Sequence, residues 1–189
     1  MKSIRIQNLR SLEDTTTIEL KPITVLVGEN SSGKSTFLRS LPLLRQSFEV
    51  KTTGPLLWYG KYVDFGSFNE AVSAFSSEKS IYFEFDFGKT RSSPMNFSFP
   101  YISMLRSNLI LKIRIVPDAK REAIIDRLEL KLEDNLVVME FNNEGLVTYF
   151  HVNQLNFLDH FPGLKAIQSS GLVPHIVLTQ PFENDPRAF

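Results

Sequence analysis

Residues 28–36 read GENSSGKST, in which a lysine follows the second of two glycines and two hydroxyl residues follow the lysine. Gly28, Gly33, Lys34 and Ser35 occupy every fixed position of the pattern G-x-x-x-x-G-K-[S/T], which binds the phosphates of nucleotides. An apolar run precedes the loop and a helical pattern follows it, so a chance Gly/Ser turn before a helix is a poor alternative. This stretch predicts an α/β fold built around a phosphate-binding loop.

The chemistry of a P-loop explains why these residue types occur together. Glycines allow tight curvature, so that backbone N–H groups and a helix N-terminus can surround an anion. Lys34 supplies a full charge to the β- and γ-phosphates in binding and in the transition state, and is therefore the predicted catalytic residue. Ser35 offers a hydroxyl to nucleotide-bound Mg²⁺. The predicted nucleotide-binding residues in the loop are Gly28, Glu29, Asn30, Ser31, Ser32, Gly33, Lys34, Ser35 and Thr36.

The segments beside the loop predict a strand and a helix. Residues 23–27 (ITVLV) are wholly apolar and mostly β-branched, which is typical of a strand buried on both faces. From Lys34 onward the period is helical, and Pro42 should kink this helix or force a bulge. The predicted buried stripe consists of Phe37, Leu38, Leu41, Leu44 and Phe48.

Most of the remaining chain predicts strands. Residues 2–7 alternate apolar and polar side chains, residues 8–11 read as a loop, and residues 15–20 as a second strand. Short polar turns separate the later alternating or apolar runs, which indicates antiparallel hairpins within residues 80–152. These runs cover residues 81–87, 109–115, 128–132, 136–141 and 146–152, and residues 91–101 are predicted to form a loop.

The C-terminal part, residues 153–189, is expected to be an incomplete segment. Residues 184–187 (NDPR) place a capping residue and a proline as at the start of a helix, with the proline three residues before the last one. We therefore expect a single partial unit over residues 1–189, with a P-loop core at 1–75 and a β lobe at 80–152.

Composition narrows the class of protein. Lysine plus arginine and aspartate plus glutamate both number 21 among 189 residues, which gives no support for a dedicated nucleic-acid binder. There is no cysteine, which excludes disulfides and cysteine-ligated zinc. The three histidines, His151, His160 and His175, show no metal-ligand spacing. With no apolar run of about 20 residues, we expect a cytoplasmic protein without a membrane association.

Three stretches carry a resemblance to a known family: KSIRIQNLRS (2–11), TVLVGENSSGKST (24–36) and YGKYVDFGSFNEAV (59–72). Together they resemble the N-terminal half of an ABC-type ATPase head of the RecF/SMC/OLD group. The similarity extends to the AAA family ATPases of bacterial anti-phage systems, such as the Septu (PtuA) and retron-associated ATPases. The resemblance implies a P-loop NTPase (ABC-ATPase-like) N-terminal half with an antiparallel β lobe.

The resemblance also implies a function. It implies that ATP and Mg²⁺ are bound in a head-to-head homodimer, and that Arg10 lies near the nucleotide and contacts a phosphate. A solvated loop arginine is the equally weighted alternative. The ATPase would gate a partner, an effector nuclease or DNA, in anti-phage defence.

Two elements of an ABC-type site have no counterpart in the sequence: an apolar run ending in Asp-Glu, and a serine-rich signature. Residues 136–140 (LVVME), 123–126 (AIID) and 81–86 contain acids, but each reads better as an ordinary strand. We therefore expect ATP hydrolysis only once these elements are supplied, and little from this chain alone. The alternative is a non-hydrolysing nucleotide-sensing or scaffolding module that docks a partner protein.

One aromatic pattern has two interpretations. Phe83, Phe85 and Phe87 alternate with polar residues, so that they could stack on nucleic-acid bases or pack in a core. Clean alternation favours the core.

Overall fold

The computed structural model describes residues 1–50, 52, 54–89, 108–118, 120 and 122–160. In these residues the chain forms a nine-stranded sheet in which every strand pairing is antiparallel. The order along the sheet is β2-β1-β4-β5-β6-β7-β8-β9, and β3 pairs with the start of β1. The strands are β1 (Ser3–Leu9), β2 (Leu12–Asp14), β3 (Ile18–Glu19), β4 (Ile81–Lys89), β5 (Asn108–Pro117), β6 (Ala123–Leu132), β7 (Asn135–Phe141), β8 (Val147–Val152) and β9 (Leu155–Asn156).

Three helices accompany the sheet in the described residues. Helix α1 (Lys34–Glu49) directly follows the glycine loop, whereas α2 (Phe68–Ala71) and α3 (Phe157–His160) are single turns. None of the helices in the described part of the chain is long and apolar enough to cross a membrane.

One face of the sheet forms the core. The register aligns a row of apolar residues across six strands, because apolar side chains recur at every second position. The row is Ile6, Phe83, Ile113, Leu128, Met139 and Phe150, all buried. Phe83 and Phe85 stack in this core, which confirms the packing interpretation for both, whereas Phe87 is 37% exposed.

The opposite face of the sheet is polar and its charges pair across strands. Lys112 lies opposite Glu84 and forms an ion pair with it. Arg114 pairs with Asp126 on the next strand, at 2.6 Å from Nη2 to Oδ2. The predicted antiparallel hairpins are therefore confirmed. β1, from the predicted P-loop core, joins the same sheet through β4.

Helix α1 is confirmed, but its buried stripe differs from the predicted one. Phe37, Ser40, Leu43, Leu44, Gln46 and Ser47 are buried. Leu38 and Phe48 are instead 56% and 66% exposed. A hydrophobic pattern cannot predict that the polar residues of this stripe are buried, because hydrogen bonds allow their burial. One such bond runs from the Ser47 hydroxyl to the Leu43 carbonyl. The helix also continues through Pro42 without interruption.

The predicted buried strand at residues 23–27 is wrong. This segment pairs with none of the described strands, and Ile23, Val25 and Val27 are 84%, 74% and 86% exposed. A strand needs a hydrogen-bonded neighbour, and none of the described strands pairs with this segment. The second predicted strand, at residues 15–20, is shorter than expected: only Ile18–Glu19 pair, after a β1–β2 hairpin that was not predicted. The predictions for residues 91–101 and 184–187 lie outside the described residues.

Candidate functional site

The glycine loop leads into α1 through an unusual backbone conformation. Gly28, Ser31 and Gly33 have positive φ angles of 154°, 66° and 90°. Gly33 is the residue immediately before α1, and no side chain caps the helix there. Its carbonyl accepts the first helical bond, from the Phe37 N–H at 2.9 Å. Because a helix N-terminus carries N–H groups without intrahelical partners and a partial positive charge, this end of α1 is suited to an anion.

The ammonium group of Lys34 binds back to the glycine loop that precedes it. Its Nζ donates to the Gly28 carbonyl at 2.7 Å, to the Glu29 carbonyl, and to the Ser32 hydroxyl at 3.3 Å. The loop carbonyls therefore hold the ammonium beside the α1 N-terminus. A phosphate could replace these carbonyls as the partner of the ammonium, with gain of a charge-assisted bond.

The two hydroxyl residues after Lys34 differ in their surroundings. Ser35 is exposed, and its hydroxyl makes no hydrogen bond to the described residues. The Thr36 hydroxyl lies 3.3 Å from that of Ser11, in the turn between β1 and β2. Ser35 is thus available to a cation held by a nucleotide, whereas Thr36 is tied to the hairpin.

The remaining loop residues lie open to solvent. Glu29, Asn30, Ser31 and Ser32 are exposed, and the Ser32 N–H reaches the Glu29 carbonyl at 3.4 Å. Their backbone rather than their side chains forms the curve of the loop.

A cavity of 390 Å³ lies between the loop and the β1–β2 hairpin. Gly33 and Lys34 line it from the loop side, and Glu13 and Asp14 from the hairpin side. Leu12, Ile18, Leu26, Val27 and Phe37 contribute its apolar wall. The volume is within the range of small-molecule sites, about 300–1,000 Å³.

A comparison with protein families agrees with the geometry of the glycine loop and α1. A family model described as an AAA ATPase domain matches residues 1–160. The chain belongs to this AAA ATPase domain family. Its described sheet and the loop–helix unit fit a P-loop NTPase-like α/β fold at a coarse level, and membership implies nucleotide binding, typically with Mg²⁺. Neither a curated protein nor a solved structure gave a significant match to the chain.

Within the ATPase domain, Arg10 lies against an aromatic ring. Its guanidinium carbon is 4.9 Å from the centroid of Phe65, and that of Arg39 is 5.2 Å from the same centroid. Arg39 also donates to the Asp64 carbonyl at 2.6 Å. Phe65, in the stretch 59–72, is completely buried. This position gives Arg10 a packing role, and its contact with a phosphate stays a prediction.

Residues 81–86, 123–126 and 136–140 were considered above as sources of the missing magnesium ligand. Their acidic residues lie in β4, β6 and β7 of the ATPase domain. Glu140 pairs with Arg127, Asp126 with Arg114, and Glu84 with Lys112. Their interpretation as strand residues is confirmed. In the described residues, no three His, Asp or Glu side chains are grouped so as to hold a metal ion.

Sequence reasoning missed two residues, one of which borders the loop while the other positions the segment after α1. Leu12 packs against Gly33, and Gln46 holds the segment after α1. The Gln46 Oε1 accepts hydrogen bonds from the N–H groups of Tyr62 and Val63, both at 3.1 Å. A glutamine within an amphipathic helix carries no periodic signal, so only the fold reveals this role.

Proposed function

We propose that this chain is the nucleotide-binding part of an ATPase that binds Mg-ATP at residues 28–36. The observation that carries the proposal is the uncapped N-terminus of α1, with the Lys34 ammonium held beside it by loop carbonyls. Backbone N–H groups and the ammonium provide the donors that a triphosphate needs.

The residues of the loop and of the first turn of α1 fit both the triphosphate and the magnesium ion of Mg-ATP. Gly33, the first turn of α1 and Lys34 would hold the phosphates, and the free Ser35 hydroxyl would take a position on Mg²⁺. A magnesium ion keeps several waters and few protein ligands, so that the Ser35 hydroxyl could serve as one of them. The 390 Å³ cavity beside the loop gives room for more than a phosphate.

Calorimetric titration of the 189-residue chain with Mg-ATP tests this proposal. We expect Lys34→Ala to weaken ATP binding by at least tenfold, because a charge is removed next to the phosphates. Lys79→Ala is the matched control, since Lys79 is an exposed lysine outside the loop, and it should bind ATP as the wild type does. Unchanged ATP affinity in Lys34→Ala would overturn the assignment.

The finer role of the ATPase rests on the sequence resemblance. We propose that two copies bind Mg-ATP between them and use it to gate an effector nuclease or a DNA-associated partner in anti-phage defence. The similarity of residues 2–11, 24–36 and 59–72 to such ATPases supports this role. Co-purification of a nuclease encoded beside the gene, released or activated in an ATP-dependent manner, is the expected result. An ATP-independent complex would count against gating.

One observation favours a second candidate, a non-hydrolysing nucleotide sensor. The acids considered as magnesium ligands and water activators are engaged in ion pairs on the sheet. Such a module would bind ATP and release no phosphate. A phosphate-release assay with saturating Mg-ATP distinguishes the two when it compares this chain with a protein that also supplies the acidic pair and the serine-rich signature. Steady release from that protein, lost in Lys34→Ala, indicates hydrolysis, whereas binding without release indicates a sensor.

A further inference from the structure

Two arginine side chains lie over a single buried ring. The guanidinium carbons of Arg10 and Arg39 are 4.9 and 5.2 Å from the centroid of Phe65, which is itself completely buried. Arg39 is exposed and Arg10 is half-buried. The face of an aromatic ring attracts a cation, but it does not neutralise the charge. Two like charges therefore lie close together at this point of the surface.

Neither guanidinium over Phe65 has an acidic partner in the described residues. The structure describes six arginines, and the other four each form an ion pair with a carboxylate: Arg5, Arg45, Arg114 and Arg127. Arginines of this part of the chain are thus generally neutralised, and the two exceptions lie at the same ring.

A second ring with two cations shows how the chain neutralises such a pair elsewhere. Arg45 and Lys61 lie over Tyr62, with the guanidinium carbon at 4.9 Å and the ammonium nitrogen at 5.5 Å from the ring centroid. The Glu49 carboxylate pairs with Arg45 there and accepts a hydrogen bond from the Tyr62 hydroxyl at 2.7 Å. Among the described residues, no carboxylate takes the corresponding position at the ring of Phe65.

Two carboxylates near the unpaired arginines have other partners. Glu70 accepts hydrogen bonds from the Ser67 N–H at 2.6 Å and from the Ser67 hydroxyl at 3.0 Å. The Asp64 carboxylate accepts one from the Gly66 N–H at 2.7 Å, and Arg39 reaches only the Asp64 carbonyl. Because a guanidinium carries five N–H donors, most donors of the two arginines stay available to another anion.

The surroundings of the two arginines indicate which anion they fit. Leu38, next to Arg39 on α1, is 56% exposed. Arginine together with apolar surface is typical of contacts between proteins. A nucleic-acid backbone is held by many phosphate contacts, whereas this site offers two cations with the acids Asp64 and Glu70 close by. The site therefore fits a few carboxylates on a protein better than a polyanion.

We propose that Arg10 and Arg39 form a docking site for an acidic segment of a partner protein, in which carboxylates alternate with apolar residues. A guanidinium can bind a carboxylate through two parallel hydrogen bonds, and Leu38 receives an apolar residue of the segment. Arg39 follows Ser35 by one helical turn, about 6 Å along α1. A docked segment would thus lie beside the position proposed for Mg²⁺, and this consequence, unlike the docking itself, rests on the proposed function.

Fluorescence anisotropy tests the docking with a fluorescein-labelled peptide of eight alternating glutamates and leucines. We expect the 189-residue chain to bind this peptide at low salt, and more weakly as salt is added, because screening reduces attraction between exposed charges. The double variant Arg10→Gln with Arg39→Gln should weaken binding at least tenfold. Arg45→Gln with Lys61→Gln is the matched control, since it removes the same charge from the pair over Tyr62, and it should bind within twofold of the wild type.

The outcomes of the anisotropy experiment separate the occupants. A peptide with glutamine in place of glutamate should not bind. No binding of the acidic peptide to the wild type, or an equal loss in both double variants, would overturn the proposal. A short DNA duplex that binds more tightly than the acidic peptide through the same two arginines would also overturn it, and would identify a nucleic acid as the occupant.

Chemical modification of the wild type provides a test that needs no variant. Phenylglyoxal reacts with accessible guanidinium groups, and peptide mass spectrometry follows each arginine separately. We expect Arg10 and Arg39 to react at least fivefold more slowly when the acidic peptide is present, whereas the rate at Arg45 should not change. Equal rates with and without the peptide would contradict docking. Neither measurement uses a nucleotide, so the result is independent of the proposed function.

Discussion

The side chain of Leu12 lies directly against the α-carbon of Gly33, so that a β-carbon at position 33 would overlap with the Leu12 Cδ2 atom. The same glycine has a φ of 90°, which is unfavourable for a residue with a side chain. The β1–β2 hairpin and the phosphate-binding loop therefore fit together at one point, and glycine is required there for two separate reasons.

Gly33→Ala should reduce both stability and nucleotide binding. Backbone strain at a positive φ costs roughly 1–3 kcal/mol, and the overlap with Leu12 adds to it. We expect a lower denaturation midpoint and at least tenfold weaker ATP binding. The double variant with Leu12→Ala removes the overlap but not the strain, so it should recover only part of the ATP affinity. Wild-type affinity in Gly33→Ala would contradict the geometry.

Gln46→Leu should destabilise the domain although leucine is the better residue by hydrophobicity. The Gln46 side chain is buried, and its loss leaves the N–H groups of Tyr62 and Val63 without their acceptor. Each such group costs roughly 1–3 kcal/mol. Urea denaturation should show a loss of about 2–6 kcal/mol on this basis. Phe48→Leu, at an exposed position of the same helix, is the control and should stay within about 0.5 kcal/mol.

The ion pair between Arg5 and Asp14 predicts a pH dependence of stability. Hydrogen bonds from the Arg5 guanidinium hold the pKa of the Asp14 carboxyl well below its usual range, with further bonds from Gln7 and the Thr16 N–H. The unfolded chain therefore binds this proton more readily, and the contribution of Asp14 is present above about pH 4 and is lost as the pH falls below it. Asp14→Asn should lower the melting temperature at pH 7 and flatten its decline in acid.

The control for Asp14 is Glu144→Gln, in an exposed turn where the carboxylate makes no ion pair with the described residues. Its melting temperature should follow the wild-type curve between pH 3 and 7. An Asp14→Asn curve parallel to the wild type throughout this range would refute the assignment.

Arg10→Ala separates the two interpretations of this residue. Because its guanidinium lies over Phe65, we expect a stability loss of about 0.5–1 kcal/mol, and ATP affinity within twofold of the wild type. Arg39→Ala removes the second guanidinium from the same ring and also the hydrogen bond to the Asp64 carbonyl. It should lose at least as much stability and also keep its ATP affinity within twofold of the wild type. A tenfold loss of ATP affinity in Arg10→Ala alone would instead establish a phosphate contact.

The sequence predicted those parts of the fold that depend only on residues close together in the chain. Alternating or apolar runs between polar turns predicted β4 to β8, and the pattern from Gly28 to Ser35 located the loop and the start of α1. The prediction for residues 23–27 was wrong because a strand depends on a neighbour, which periodicity does not specify. The buried roles of Gln46 and Ser47 were missed because burial through hydrogen bonds leaves no apolar signal. The contact of Leu12 with Gly33 depends on a hairpin that the sequence did not indicate.

The pairing of β1 with β4 has a mechanical consequence. The glycine loop and α1 form an excursion that leaves after β3 and returns before β4, while Ile6 and Phe83 remain side by side in the sheet. Phe37, Leu43 and Leu44 of this excursion belong to the same buried cluster as that row, so that α1 is anchored to the sheet. Any movement that ligand binding causes should therefore be confined to residues 28–32, which are exposed and contribute nothing to the cluster.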